Sequence, residues 1–345
     1  MRNRTSIQPW LPATTIAAAL LTVTLLLPGI VAKRSGSVSV LSTADFPQTR
    51  LEQQTKPLLV PIYLTREQKI DQVPLETYVR NVVAAEMPAN FEFEALKAQA
   101  IASRTYIVKR LLEGDSSQVP VQGAVVTDTV AHQAYIGEEQ MKANWGEADY
   151  PSRLDKLNRA VNETAGVVVT YQGKPIQASF FSTSNGYTEN SEEYWRDYIP
   201  YLRSVPSPWD QELSPKYMET KTMSLQEFFK KLGITSVPAA ATGSGAMKVL
   251  ATTSGHRIKT VSAGGKSFTG REMREKLELN SSQFTWKISG SRIEITTYGY
   301  GHGVGMSQWG ANGMAKEGKS AETILKYYYQ GVELSRVSAL LGPPV

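Results

Sequence analysis

Two stretches hold residue types that could do chemistry. In VVAAEMP, Glu86 has no other charged residue between Arg80 and Glu92. It also falls at the C-terminal end of a helical pattern, where partial negative charge disfavours a carboxylate. Apolar neighbours and the helix end both push its pKa upward, and a carboxyl that stays protonated near neutral pH can protonate a leaving oxygen. The local residues alone leave this reading open beside an ordinary solvent-facing glutamate. The second stretch, YGYGHGVGMSQWGANGMA, places glycine at every second position from Gly299 to Gly305 around His302, one of three histidines. If the run is extended, one face is bare backbone, which marks a close approach by a packed helix or a ligand ring.

Other constellations are weaker. A second carboxylate, as most glycosidases need, would come from YTENSEEYWRDY with Glu189, Glu192, Glu193 and Asp197, although such a run also reads as a solvated surface. His132, His256 and His302 are scattered, with no H-E-x-x-H, so no metal site is expected. Ser182 or Ser184 with His302 would be a hydrolase pair, but no G-x-S-x-G elbow occurs. No G-x-G-x-x-G or Walker-type loop is present either.

The elements that must position these residues follow from spacing. LLVPIYL reads as a strand from Leu58. Leu75, Val79, Val82 and Val83 recur at helical spacing, Pro74 suits the first turn, and Pro88 stops the helix near Glu86. Asn90 then signals a cap for a second helix, in which Leu96, Ala100, Ile107 and Leu111 share a buried face and Lys97 and Arg104 another. Gln172-Gly173 between apolar runs marks a hairpin. SLQEFFKKLG, TGREMREKLEL and SAETILKYYYQG read as helices. Strands and helices mix without βαβ alternation, so the fold class is α+β.

The chain has 345 residues, 41% of them hydrophobic and 20% charged, which is globular composition. The net charge of +5 is concentrated at the start: Arg2, Arg4, Lys33 and Arg34 meet no acid, which leaves 33 basic against 32 acidic residues elsewhere. No bulk signal for nucleic acid remains. Absence of cysteine excludes disulfides, a thiol nucleophile and cysteine-ligated zinc. Trp10 to Ala32 is uncharged and long enough to span a bilayer, and Ile30-Val31-Ala32 is a poor cleavage site. An uncleaved single-pass anchor is expected, with the body outside the cytoplasm.

VVAAEMPANFEFEALKAQAIASRTY, ASFFSTSNGYTENSEEYW, GREMREKLELNSSQF and GYGHGVGMSQWGANGMA, in that order, resemble the stage II sporulation protein D family, which includes the amidase-enhancer proteins. The likeness runs from about Val60 to Gly331. It implies lytic transglycosylase activity on peptidoglycan glycan strands, with Glu86 as the catalytic residue and no cofactor. Some relatives bind zinc through a cysteine-containing cluster, which this chain cannot build. The resemblance further implies a preference for peptide-stripped strands. Its expected setting is septal engulfment, in a membrane complex with a cell-wall amidase and a polytopic membrane protein. The rival is a non-catalytic glycan-binding enhancer of that amidase.

With the family in view, Lys97 and Arg104 become candidates for holding substrate oxygens. Ser182, Ser184, Asn185 and Gly186 read as a sugar-contacting loop, and His302, Ser307 and Gln308 as a groove wall. The expected organisation is an anchor over 1–34, a tether over 35–57 and a catalytic region over 58–206. An inserted subdomain over 207–292 and a closing segment over 293–345 complete it.

Overall fold

The computed structural model describes residues 57–234 and 247–341. The expected anchor and tether lie almost wholly outside them. Among the described residues, no helix is long and apolar enough to cross a membrane.

β1 (Leu59–Leu64) and β2 (Lys69–Pro74) form an antiparallel hairpin that feeds directly into α1 (Leu75–Glu86). Pro74 occupies the N-cap with φ −55° and ψ 138°, where its missing N–H has no consequence. Leu75, Tyr78, Val79, Val82 and Val83 turn inward. Met87 leaves the helix in an extended conformation, φ −121° and ψ 142°, because the Pro88 ring disfavours helical geometry in the residue before it. α2 (Phe93–Glu113) starts after Glu92, not at Asn90, and closes at Gly114 with φ +62°. α2 is central, packed against α1 and several elements that follow.

β3 (Val126–Thr127) adds to β1 in parallel, followed by α3 (Glu138–Trp145) and α4 (Tyr150–Glu163). β4 (Val167–Tyr171) and β5 (Lys174–Pro175) pair across Gln172 and Gly173, whose φ values of +51° and +76° suit a two-residue hairpin turn. β6 (Phe180–Phe181), α5 (Ser191–Trp195) and α6 (Trp209–Leu213) come next. A separate set then follows. β7 (Met218–Ser224), α7 (Leu225–Lys231), the meander β8 (Met247–Thr252), β9 (Ile258–Ala263) and β10 (Lys266–Thr269), α8 (Gly270–Leu277), β11 (Phe284–Ser289) and β12 (Arg292–Tyr298) share one hydrophobic cluster. Thr269 and Glu272 cap α8 reciprocally, the arrangement S/T-x-x-E favours. The chain then returns to the first core through β13 (Met306–Ser307), parallel to β6, and α9 (Gln308–Lys316), α10 (Ala321–Tyr328), β14 (Glu333–Arg336) and α11 (Val337–Leu341). Helices and mostly antiparallel sheets are thus mixed, an α+β fold.

Two features depart from expectation. Arg104, expected with Lys97 to hold substrate oxygens, is closed to any substrate. It is fully buried, because α2 is enclosed by α1, α4, β4, α9 and α10. Its Nη2 meets Glu76 Oε2 at 2.6 Å, its Nε meets Oε1 at 3.0 Å, and Nη1 donates to the Val167 carbonyl at 3.1 Å. One guanidinium therefore joins α1, α2 and β4.

The glycine run is not a regular strand. Gly299, Gly301, Gly303 and Gly305 all have positive φ, from +81° to +119°. Neither a sugar nor a helix is needed to explain their bare sides. A Cβ on Gly299 would lie 2.9 Å from the Thr183 carbonyl oxygen and one on Gly301 2.8 Å from the Phe181 Cβ. One on Gly303 would strike the Arg257 guanidinium, and one on Gly305 the Ser179 carbonyl.

Two outcomes follow for stability. Arg104→Met leaves Glu76 without its partner beneath α1, and breaking a buried pair from one side costs about 3–5 kcal/mol. Since Glu76 is one-third exposed, the lower end is expected in denaturant unfolding. Gly305→Ala must combine overpacking of about 1–3 kcal/mol with an αL residue worth about 1–2 kcal/mol. Gly318→Ala, also at positive φ but with open space around it, should carry only the second. A thermal melt showing equal losses at both positions would mean that Ser179 yields freely.

Candidate active site

Helix termination sets the position of Glu86. As the last residue of α1 it projects into a cleft of about 810 Å³. The loop after β3 covers it, and the Ala134 amide donates to Glu86 Oε1 at 2.9 Å. That loop is pinned by His132, whose Nδ1 lies 2.9 Å from Thr127 Oγ1 and whose Nε2 lies 3.1 Å from the Ser117 carbonyl. Burial raises the Glu86 pKa, opposed by hydrogen bonds from the Ala134 amide and the Gln308 side chain. Gln308 opens α9 and reaches back to Gln99 on α2 at 3.5 Å. Among the described residues lining the cleft, Glu86 is the only carboxylate.

The opposite walls come from elsewhere. Phe180, Phe181, Ser182, Tyr300 and His302 form one side, with Tyr194 and Trp195 of α5, Arg271 and Arg274 of α8, and Lys216. His302 is a clasp. Its Nε2–H donates to the Phe180 carbonyl at 3.1 Å, and its Nδ1 accepts from the Val304 amide at 3.1 Å. Burial, with Arg274 and Arg257 nearby, pushes its pKa down to about 3, so the ring is neutral at working pH. Both nitrogens are engaged by backbone, which leaves none to activate Ser182 or Ser184.

Of the residues singled out in the sequence, Glu86, His132, Ser182, His302 and Gln308 line this cleft. Ser184 and Ser307 lie beneath it, around the buried Asp210. The Ser184 amide donates to Asp210 Oδ1 at 2.7 Å, the Ser307 hydroxyl donates to the same oxygen, and Ser207 Oγ donates to Oδ2 at 2.7 Å. Ser307 also caps α9. Asn185 is buried, donating to the Gly255 carbonyl at 2.9 Å, and Gly186 is a turn at φ +105°. Lys97 is outside the cleft, paired with Glu94 at 2.9 Å and Glu163 at 3.4 Å, and Arg104 is committed to Glu76. Glu189, Glu192 and Glu193 line a different depression of about 510 Å³, so none serves beside Glu86.

Sequence reasoning missed Tyr194, Trp195, Lys216, Arg271, Arg274, Tyr300 and Gln133 as cleft residues. A signal existed for the arginines: their i, i+3 spacing in GREMREKL puts both on one helix face. Gln133 accepts from Tyr78 Oη at 3.1 Å through Oε1, while its Nε2 meets no acceptor among the described protein atoms.

A family model described as "Stage II sporulation protein" matches residues 63–171, which include Glu86. The chain is 49% identical over 289 residues to "Stage II sporulation protein D" of Bacillus subtilis, covering 84% of this chain and 82% of that one. It is 50% identical over 286 residues to the protein of the same name from Bacillus amyloliquefaciens, covering 83% and 81%. To the "Amidase enhancer" of Bacillus subtilis it is 31% identical over 306 residues, covering 74% of this chain and 40% of the enhancer. With half of the residues shared along most of both chains, this protein belongs to the stage II sporulation protein D family.

Proposed function

We propose that this chain is a membrane-anchored lytic transglycosylase that cleaves peptidoglycan glycan strands between N-acetylmuramic acid and N-acetylglucosamine during sporulation. The observation that carries the reading is the single carboxylate: Glu86 stands alone among the cleft residues and burial favours its protonated form. Hydrolysis by paired carboxylates needs a second group to activate water or form an adduct. Lytic cleavage does not. Glu86 gives its proton to the glycosidic oxygen as the bond to the muramyl anomeric carbon breaks. The resulting carboxylate takes the proton of the muramyl 6-hydroxyl as that oxygen closes the 1,6-anhydro ring. Glu86 ends as it began, and no water is consumed. The aromatic rings Phe180, Tyr194, Trp195 and Tyr300 supply flat, largely apolar walls, with polar tips on the tyrosines and the tryptophan, suited to a sugar chain.

In this reading the uncharged span before Lys33 anchors the chain, and the body acts outside the cytoplasm on peptide-stripped strands, beside an amidase and a polytopic membrane protein. A second reading, a glycan-binding enhancer of a cell-wall amidase, is favoured by the likeness to the amidase enhancer. The two part at Glu86.

Glu86→Gln keeps the acceptor for the Ala134 amide but cannot move a proton. In the full-length chain, release of 1,6-anhydromuramyl ends should fall at least about 10²- to 10⁴-fold, the usual worth of general acid–base catalysis. Wild-type release by this variant would sink the assignment. Stimulation of an amidase that survives in Glu86→Gln would show that enhancement does not need the chemistry.

The pH dependence has a definite sign. With its folded pKa raised, Glu86 remains an acid above the ordinary glutamate value of about 4.3, and kcat/KM should fall as pH rises through the folded pKa. The stability this carboxyl contributes is present below its unfolded pKa and lost as pH rises through the folded one. Glu86→Gln should therefore be neutral or stabilising at neutral pH, with that advantage gone below about pH 4. A thermal melt in which the variant loses stability at neutral pH would contradict the raised pKa.

A further inference from the structure

The cleft does not end beside Glu86. On a side that α8 does not line, a second depression of about 250 Å³ continues it, and the two share Tyr106, Gln118, Ala131, His132 and Gln177. One flank is the last two turns of α2, and another is the turn that follows that helix. Gln118, in this turn, has φ +64°. Left-handed backbone disfavours a side chain, and such positions gather where ligands are held. The turn is fastened from behind. Arg110 Nη2 donates to the Ser117 carbonyl at 3.0 Å, His132 Nε2 lies 3.1 Å from the same oxygen, and the Ser117 amide donates to Asp115 Oδ1 at 2.8 Å. Gln118 itself stays exposed at the boundary of the two regions. Gln177, the other glutamine there, is held through its backbone amide, which donates to Tyr201 Oη at 2.9 Å. Among the described residues neither carboxamide has a hydrogen-bond partner.

The charges of this depression cancel. Glu113 meets Lys109, and Asp115 meets Arg110 at 2.8 Å. Burial lowers the His132 pKa, so that ring is neutral at working pH. What is left for a ligand is two carboxamides, each both donor and acceptor, and the ring of Tyr106. An ion finds no spare counter-charge. An extended peptide finds no open strand edge to pair with, since the lining residues belong to a helix, a turn and loops. An uncharged sugar with hydroxyls and an acetamide finds partners for each and an aromatic face to lie against.

We propose that this depression is a further sugar subsite, in which Gln118, Gln177 and Tyr106 hold an N-acetylated hexosamine of the same strand, beyond the sugars that flank Glu86. The proposal rests on the glycan-strand reading of the cleft. Because the subsite is neutral and continuous with the cleft, it adds affinity with strand length and not with strand charge.

Binding of peptide-free tetra- and octasaccharides is measured with the full-length Glu86→Gln chain, so that no strand is cut. Two neutral hydrogen bonds are worth about 10- to 100-fold in affinity, and the octasaccharide should bind tighter by that factor. Gln118→Gly removes one carboxamide and also relieves the left-handed backbone, so a loss would not come from misfolding. Combined with Gln177→Ala it should bring the length ratio close to one. Equal binding of both lengths by the parent chain overturns the proposal, as does a combined variant that melts normally and keeps the full ratio. A tetrasaccharide that still bears its stem peptides provides a further arm. A Gln118-dependent gain from the peptide, with none from added sugars, also overturns it. Anhydro ends released by the wild-type chain are counted separately. A Gln118-dependent length ratio without anhydro ends would end the transglycosylase reading and leave the subsite, and cleavage without a length ratio would do the reverse.

Discussion

Pro88 disfavours the helical conformation at Met87, and much of the site depends on that steric fact. Without it α1 would continue, and the residue after the VVAA turn would be one more position on a packed helix. With it, Glu86 becomes a terminus, where the helix carbonyls are unpaired and their field opposes a negative charge. Burial under the loop after β3 is what raises the Glu86 pKa, against the hydrogen bonds from Ala134 and Gln308. The place where the backbone ends thus puts the carboxyl where burial raises its pKa, and α1 in turn is anchored at its first turn by Glu76 on the buried Arg104. A steric rule at one end and an ion pair at the other fix the carboxyl that lines the cleft.

The local parts of this arrangement are legible in the sequence. The end of α1 at Glu86 follows from Pro88, the hairpin from Gln172-Gly173, and the start of α8 from the Thr269 and Glu272 box, because each is decided within four residues. The failures are non-local. Arg104 looks available to substrate at helical spacing from Lys97, since its partner Glu76 belongs to another helix. Ser184 and Ser307 look like sugar contacts, but Asp210 gathers them from two distant segments. The alternating glycines do signal close approach, yet what approaches is the chain's own 179–184 segment and Arg257. Tyr194, Trp195 and Arg274 enter the cleft only because the second hydrophobic cluster carries α8 up to α5, a pairing no local pattern encodes.

His302 shows how a residue type misleads when its surroundings are unknown. A lone histidine in a glycine-rich stretch invites a proton-transfer role. Here the ring bridges the Phe180 carbonyl and the Val304 amide, and it stays neutral beside Arg274 and Arg257. It fixes the glycine segment against β6 and so shapes the wall that Tyr300 and Phe181 present.

That neutrality matters for the acid across the cleft. A cation next to Glu86 would lower its pKa and leave a carboxylate with no proton to give. Yet any anionic group entering the cleft would be held best by cations. The structure meets both demands by separation: Lys216, Arg271 and Arg274 line the same cleft as Glu86, while none of them contributes to its titration. The positive wall and the carboxyl whose pKa burial raises therefore share one cleft without cancelling each other. Once Glu86 is ionised, its burial makes it a stronger base than an ordinary carboxylate. In the second half of the proposed reaction, that strength would serve to retrieve the muramyl hydroxyl proton. One desolvated carboxyl, kept apart from the charges around it, is suited to both halves.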